Sequence, residues 1–169
     1  MYCSSKTVLA DHADAGFHNK SKERIQEGAH IFLSDNHPEP MCIEPLLTIA
    51  QNIRFVMTSA AQAELGALLI TSKEMIPLQQ ILSEMGWPQS PSPVQTDKSI
   101  DEGIVNNTIV PQKIKSTGLW FHWLHCKEAN SQFRYYWAPV LFNWVDYSKK
   151  HHPDYHRRNW VMHAGKAKY

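Results

Sequence analysis

The chain reads as an α/β fold, a mixed five-stranded sheet with helices on both faces. Three features predict this. Short β-favouring runs come first, joined by hairpin-length polar connections, so the first three strands should be antiparallel. Beyond residue 58, helical spacing alternates with further short strands, which implies a mixed sheet carrying helices. Glycine, proline and asparagine punctuate the joints between segments.

The elements follow in order. Residues 7–15 make a first strand ending near Asp14, and the polar run 19–26 is a loop. Residues 28–34 are short, apolar and β-favouring, a second strand, followed by the turn sequence Asp35-Asn-His-Pro-Glu-Pro40. Residues 45–53 form a third strand. Thr58 or Ser59 can cap a helix, because a hydroxyl oxygen accepts an orphan amide. Ala61, Leu65, Leu68, Leu69 and Ser72 then keep helical spacing. Residues 73–85 read as a second helix, with Pro77 in its first turn and Gly86 at its end. Residues 89–93 are a stiff connector, and 94–97 a short strand with an acid at its carboxyl end. Helices are expected at 99–107, 115–129 and 143–150, with a strand over 132–137 between the last two. Residues 1–6 read as an extension, 7–152 as one domain, and 153–169 as a basic, His-rich tail.

Composition narrows the class. With 169 residues, 43% hydrophobic, one compact domain can bury a core. A net charge of +1 from 17 basic and 16 acidic residues is no strong nucleic-acid signature, but basic residues concentrate locally, at 149–158 and at Lys113 and Lys115. The three cysteines have no metal-ligand spacing and read as reduced thiols. No segment reaches the ~18 apolar residues of a membrane span, and residues 1–6 lack the apolar core of a secretory signal. A cytoplasmic or nuclear location is expected, for this chain or for a longer one that contains it.

Four acids from distant segments carry the chemistry: Asp14, Glu64, Asp97 and Asp146. Each ends, follows or sits on an apolar segment. A carboxylate quartet suits two hard divalent cations, which want oxygen ligands and can clamp both sides of a scissile phosphate. Most of the other acids considered, Asp11, Asp35, Asp101, Glu102 and Glu128, read as solvated surface groups.

The residues around these acids set them apart. His12-Ala-Asp-Ala-Gly-Phe17 resembles the first-strand motif of the ribonuclease H domain of copia-type retrotransposon polyproteins, in which an Asp followed by Ala opens the site. The match selects Asp14, with Asp11 as the alternative. Ser59-Ala-Ala-Gln-Ala-Glu-Leu-Gly-Ala-Leu68 resembles the family's Ser-Ser-Thr-Glu-Ala-Glu-Tyr-x-Ala-Leu helix and points to Glu64. Gln95-Thr-Asp-Lys-Ser99 resembles a Cys-Asp-Asn strand end and points to Asp97. Asn143-Trp-Val-Asp-Tyr-Ser-Lys-Lys150 resembles Asn-x-Ala-Asp-x-Leu-Thr-Lys and points to Asp146. The resemblance spans roughly residues 7–152 in the right order.

The resemblance implies a ribonuclease H-like fold and cleavage of the RNA strand of RNA–DNA hybrids during reverse transcription. It implies two magnesium or manganese ions, one held by Asp14, Glu64 and Asp97, the other by Asp14 and Asp146. Lys113, Lys115, Arg134, Lys149 and Lys150 are candidates for phosphate contacts. The implied partners are the hybrid and the reverse transcriptase domain of the same polyprotein, with a virus-like particle as the cytoplasmic setting. Departures from the pattern, such as Arg24-Ile-Gln-Glu-Gly28 and Lys113-Ile-Lys-Ser116, define the alternative: a remnant that keeps the fold and hybrid binding but not turnover.

Two other groupings carry weaker signals. His151-His-Pro-Asp-Tyr-His156 and His122-x-x-His125-Cys126 lack a recognised four-ligand zinc set, so His122 is expected to pack or hydrogen-bond near the sheet. In the aromatic run 133–137, alternate residues read as core, and Tyr135 or Tyr136 is the one that would face a hybrid.

Overall fold

The computed structural model of the chain describes residues 7–16, 25–36, 44–54, 57, 59–96, 118–137 and 145. β1 (Thr7–Gly16), β2 (Gln26–Asp35) and β3 (Pro45–Asn52) lead into α1 (Ala60–Glu84). β4 (Ser92–Thr96), α2 (Gly118–Ala129) and β5 (Phe133–Trp137) follow. The strands form one mixed five-stranded sheet in the order β3-β2-β1-β4-β5. β1, β2 and β3 pair antiparallel, whereas β4 runs parallel to both β1 and β5. Helical connections are what allow those parallel neighbours, since a hairpin cannot join them.

Side-chain alternation gives each strand two faces. Leu9 and Ala13 of β1, Ile31 of β2, Val94 of β4, and Phe133 and Tyr135 of β5 share one face. They form a core with Leu65, Leu68, Met75 and Leu82 of α1 and Leu124 of α2. The opposite face is also buried and carries Val8, Ala10, Phe32 and Tyr136. His12 lies on that face with its ring edge against Phe32, centroids 4.8 Å apart. Val145, helical and fully buried, is described on its own.

Three of the differences from expectation bear on the layout. Residues 73–85 are not a second helix, because α1 is continuous over 25 residues with Pro77 inside it. An interior proline removes one helical hydrogen bond and is unfavourable by ~3 kcal/mol. Burial on both sides holds the helix together. Thr71, Met75, Gln79 and Leu82 lie on one stripe against the sheet, while Pro77 is exposed. The predicted loop 19–26 gives up Gln26 to β2, whose ladder pairs Gln26 with Gly16. Ser92 and Pro93, expected in a connector, belong to β4 and pair with Phe133 and Arg134. The expected helix at 99–107, most of that at 143–150, and the segments 1–6 and 153–169 lie outside the described residues.

The far end of α1 is tied down by glutamine side chains. Gln79 Nε2 donates to Ser92 Oγ at 2.7 Å and to the Gln132 carbonyl at 3.2 Å, and Gln132 Nε2 donates back to Gln79 Oε1 at 3.2 Å. One buried amide thereby joins α1 to the start of β4 and the approach to β5. Gln79→Leu is expected to lower stability by about 1–3 kcal/mol, since it strips a donor from buried acceptors. Urea denaturation at fixed pH checks this; an unchanged midpoint would count against the role. Gly86 has a φ of +89° and ends α1 in the left-handed region, where glycine carries no Cβ penalty.

Candidate active site

Glu64 is placed by the local sequence before it. Ser59, extended at φ −148°, accepts the Gln62 amide on its Oγ at 3.2 Å, so Ser59 and not Thr58 is the N-cap. The helix therefore starts at Ala60, and Glu64 falls in its second turn. Ala63, Ala67 and Gly66 are small and buried, which lets this end of α1 approach closely. Met57 lies directly over Gly66, where a Cβ would collide with its terminal methyl.

Glu64 is 3% exposed and its Oε2 accepts the Ala15 backbone N–H at 3.0 Å. Ala15 follows Asp14, so the bond sets the Glu64 carboxylate beside the peptide that carries Asp14. Asp14 is itself buried near the end of β1. Residues 49 positions apart in Glu64 and Ala15 are thus joined by a charge-assisted hydrogen bond, of the stronger kind. Of the four predicted acids, the structure describes these two and brings them to one strand end. Asp97 and Asp146 lie outside the described residues, although each directly follows a described buried residue, Thr96 and Val145.

Asp11, the alternative to Asp14, is neither solvated nor on the same face. It is fully buried on the α1 side of β1, three residues before Asp14, and neither carboxylate oxygen makes a hydrogen bond to another side chain. Burial raises its pKa well above the ordinary carboxyl value. The nearby Glu27 carboxylate raises it further, and the His12 backbone N–H pulls it down. Glu27 is also buried. It accepts Thr71 Oγ1 at 3.0 Å and Gln51 Nε2 at 3.1 Å. Burial lifts its pKa to about 7, the two hydrogen bonds lower it and Glu74 raises it. Tyr135 donates to or accepts from Ser72 Oγ at 3.1 Å, and burial pushes its phenol well up. Sequence reading missed the burial of these two acids. Asp11 carries one late-appearing signal, its place on the same alternating face as Leu9 and Ala13.

The remaining predictions divide. Arg134 is half-buried with its guanidinium 5.7 Å from the Tyr136 ring centroid. Lys113, Lys115, Lys149 and Lys150 lie outside the described residues. Neither Tyr135 nor Tyr136 is exposed, and Trp137 at the strand end is the aromatic of β5 that reaches solvent. His122 is exposed rather than packed on the sheet, its ring against Phe121. Cys126 is exposed and accepts Asn130 Nδ2 at 3.3 Å. No cluster of three or more metal-ligating side chains occurs among the described residues, and no described helix is long and apolar enough to cross a membrane.

The sheet order, the mixed pairing and the long helix opening beside the end of β1 define the ribonuclease H-like fold. Among solved structures, the chain is similar to LC11-RNase H1, isolated from compost by a metagenomic approach. The TM-score is 0.59 at 16% identity, over 83% of this chain and 91% of that one. The same enzyme in complex with an RNA/DNA hybrid gives 0.58 at 12% identity, over 83% and 98%. The N-terminal RNase H domain of rv2228c from Mycobacterium tuberculosis gives 0.55 at 15% identity, over 97% and 99%. No family profile matches the chain, and no curated protein sequence does.

Proposed function

We propose that this chain is a divalent-metal-dependent ribonuclease H that hydrolyses the RNA strand of RNA–DNA hybrids, acting beside a reverse transcriptase domain in a copia-type retrotransposon polyprotein. The observation that carries the reading is the Glu64–Ala15 hydrogen bond, which joins two predicted metal-ligating segments at one strand end. A solved structure of the same fold holds an RNA/DNA hybrid, which supports the substrate class.

Two buried carboxylate residues at one strand end are the hard oxygen donors that magnesium or manganese favours, so the residues fit the ions. Asp14, Glu64 and Asp97 would hold one ion and Asp14 with Asp146 the other. Bound there, the pair would supply Lewis-acid stabilisation and a more acidic water. The motif around Asp97 supports its inclusion, and Asp97 is the next residue in sequence after Thr96, where β4 ends parallel to β1. The chain's own contribution is positioning. The Ala15 amide holds Glu64 in one orientation, and burial keeps the site's dielectric low, so charge developing on a phosphate is felt strongly. Arg134, with Lys113, Lys115, Lys149 and Lys150, would track the hybrid's phosphates. Selectivity would come from hybrid shape and 2′-hydroxyls rather than base sequence. The setting would be a cytoplasmic virus-like particle or the nucleus.

The test is cleavage of a labelled RNA–DNA hybrid by the purified chain with magnesium or manganese, with Asp97→Asn as control. The expected result is cutting confined to the RNA strand and lost in the variant. Equal cutting by the variant would reject the site. Absence of cutting by folded parent protein that still binds hybrid would favour the remnant reading.

A further inference from the structure

β3 is an edge strand of a kind that proteins ordinarily protect. It closes the sheet on one side, is eight residues long, and is exposed at every position except the partly buried Ile49. Its sequence, Pro45-Leu-Leu-Thr-Ile-Ala-Gln-Asn52, holds no charged residue, and Leu46 and Leu47 are 58% and 38% exposed. Edge strands are usually blunted by charge, shortness or a cover, and an unprotected one offers a free row of amides and carbonyls to another strand. The opposite edge is guarded: β5 has five residues, mostly buried, with Arg134 among them. The one irregularity in β3 lies at its start. Ile31 pairs with Leu47 and Phe32 with Pro45, which leaves Leu46 as the bulged residue and 47–52 regular.

Charge lies at both ends of the strand, and the two signs are opposite. Glu44 precedes it and Arg54 follows it by two residues, and both are exposed. In an antiparallel pair about a two-fold axis, residue numbers at facing positions have a constant sum. An axis at Ile49 sets Leu47 against Gln51 and Thr48 against Ala50 of the second copy, and brings the end that carries Glu44 beside the end that carries Arg54 of the second copy. The facing pairs of the regular stretch then lie on common faces, as cross-strand pairs must. The strand is therefore self-complementary in charge as well as in backbone. We propose that two copies of this chain associate through β3, antiparallel and centred on Ile49, joining their sheets into one continuous ten-stranded sheet. The surface is separate from Asp14 and Glu64, so the association does not depend on catalysis.

Sedimentation velocity of the whole chain over a wide concentration range tests this, with circular dichroism to confirm folding. The parent is expected to show a monomer–dimer equilibrium. Either Glu44→Arg or Arg54→Glu puts like charges at both ends and should weaken the dimer roughly tenfold. The double variant carrying both changes should restore it. Hydrogen exchange of the 47–52 amides should slow as the dimer forms. A parent that stays monomeric, single reversals without effect, a double variant no better than the singles, or species larger than a dimer would each overturn the proposal.

Discussion

Asp14→Asn is expected to reduce hybrid cleavage by about 10²–10³-fold or more, the scale on which losing one charge-stabilising group acts. The fold should survive. The two side chains are nearly isosteric, and the change removes a charge from a buried strand end rather than opening a cavity. Asp11→Asn is the paired control. Asp11 lies three residues away but on the α1 face of the same strand, inside the core. Its variant is expected to cleave at a rate close to the parent's. Single-turnover rates on a labelled hybrid, read beside a thermal melt for each variant, decide the matter. If Asp11→Asn were the inactive one, the first-strand ligand would have to be reassigned and the Glu64–Ala15 bond would lose its meaning for the site.

The second large effect concerns stability. Asp11 and Glu27 both ionise less readily in the fold than in the unfolded chain. Above the ordinary carboxyl range, the unfolded chain gives up protons that the folded chain keeps. Their stabilising contribution is therefore complete below that range and lost as pH rises. For Glu27 the loss runs from 4.5 to about 7. A shift of that size corresponds to roughly 3–4 kcal/mol. Asp11, with its carboxyl pushed well up, extends the decline further. Urea unfolding between about pH 5 and about pH 8 should show a falling midpoint. Glu27→Gln should flatten the curve over that window, because the amide can keep partners among Thr71 and Gln51 but has no proton to lose. A midpoint that rises with pH, or a slope indifferent to Glu27→Gln, would refute this account.

These two predictions separate what local sequence reveals from what it does not. Five strands, the capped helix start and the antiparallel opening were legible, because strand alternation, turn residues and a hydroxyl cap act over a few residues. Asp14 and Glu64 were singled out by their flanking residues. Asp11 shows where that reading stops. Alternation says that Leu9, Asp11 and Ala13 share a face, but an acid there looks the same whether water or a helix covers it. Its burial follows only once α1 lies across the sheet, when Asp11 and Glu27 come under one roof with Thr71 and Tyr135 nearby.

The same limit explains α1. Pro77 is a local breaker, and a local reading splits the helix there. A buried stripe on both sides outweighs one lost hydrogen bond, and only the packed sheet supplies that stripe. The chain by itself determined its elements, their sequence order and the acids worth attention, since these depend on near neighbours. Tertiary structure alone decided that Glu64 meets the amide after Asp14, that Asp11 is sealed in the core, and that β3 is left uncovered. Each of these is a contact, or a missing one, between segments far apart in the chain. Burial and strand pairing set such contacts, and no local pattern records them.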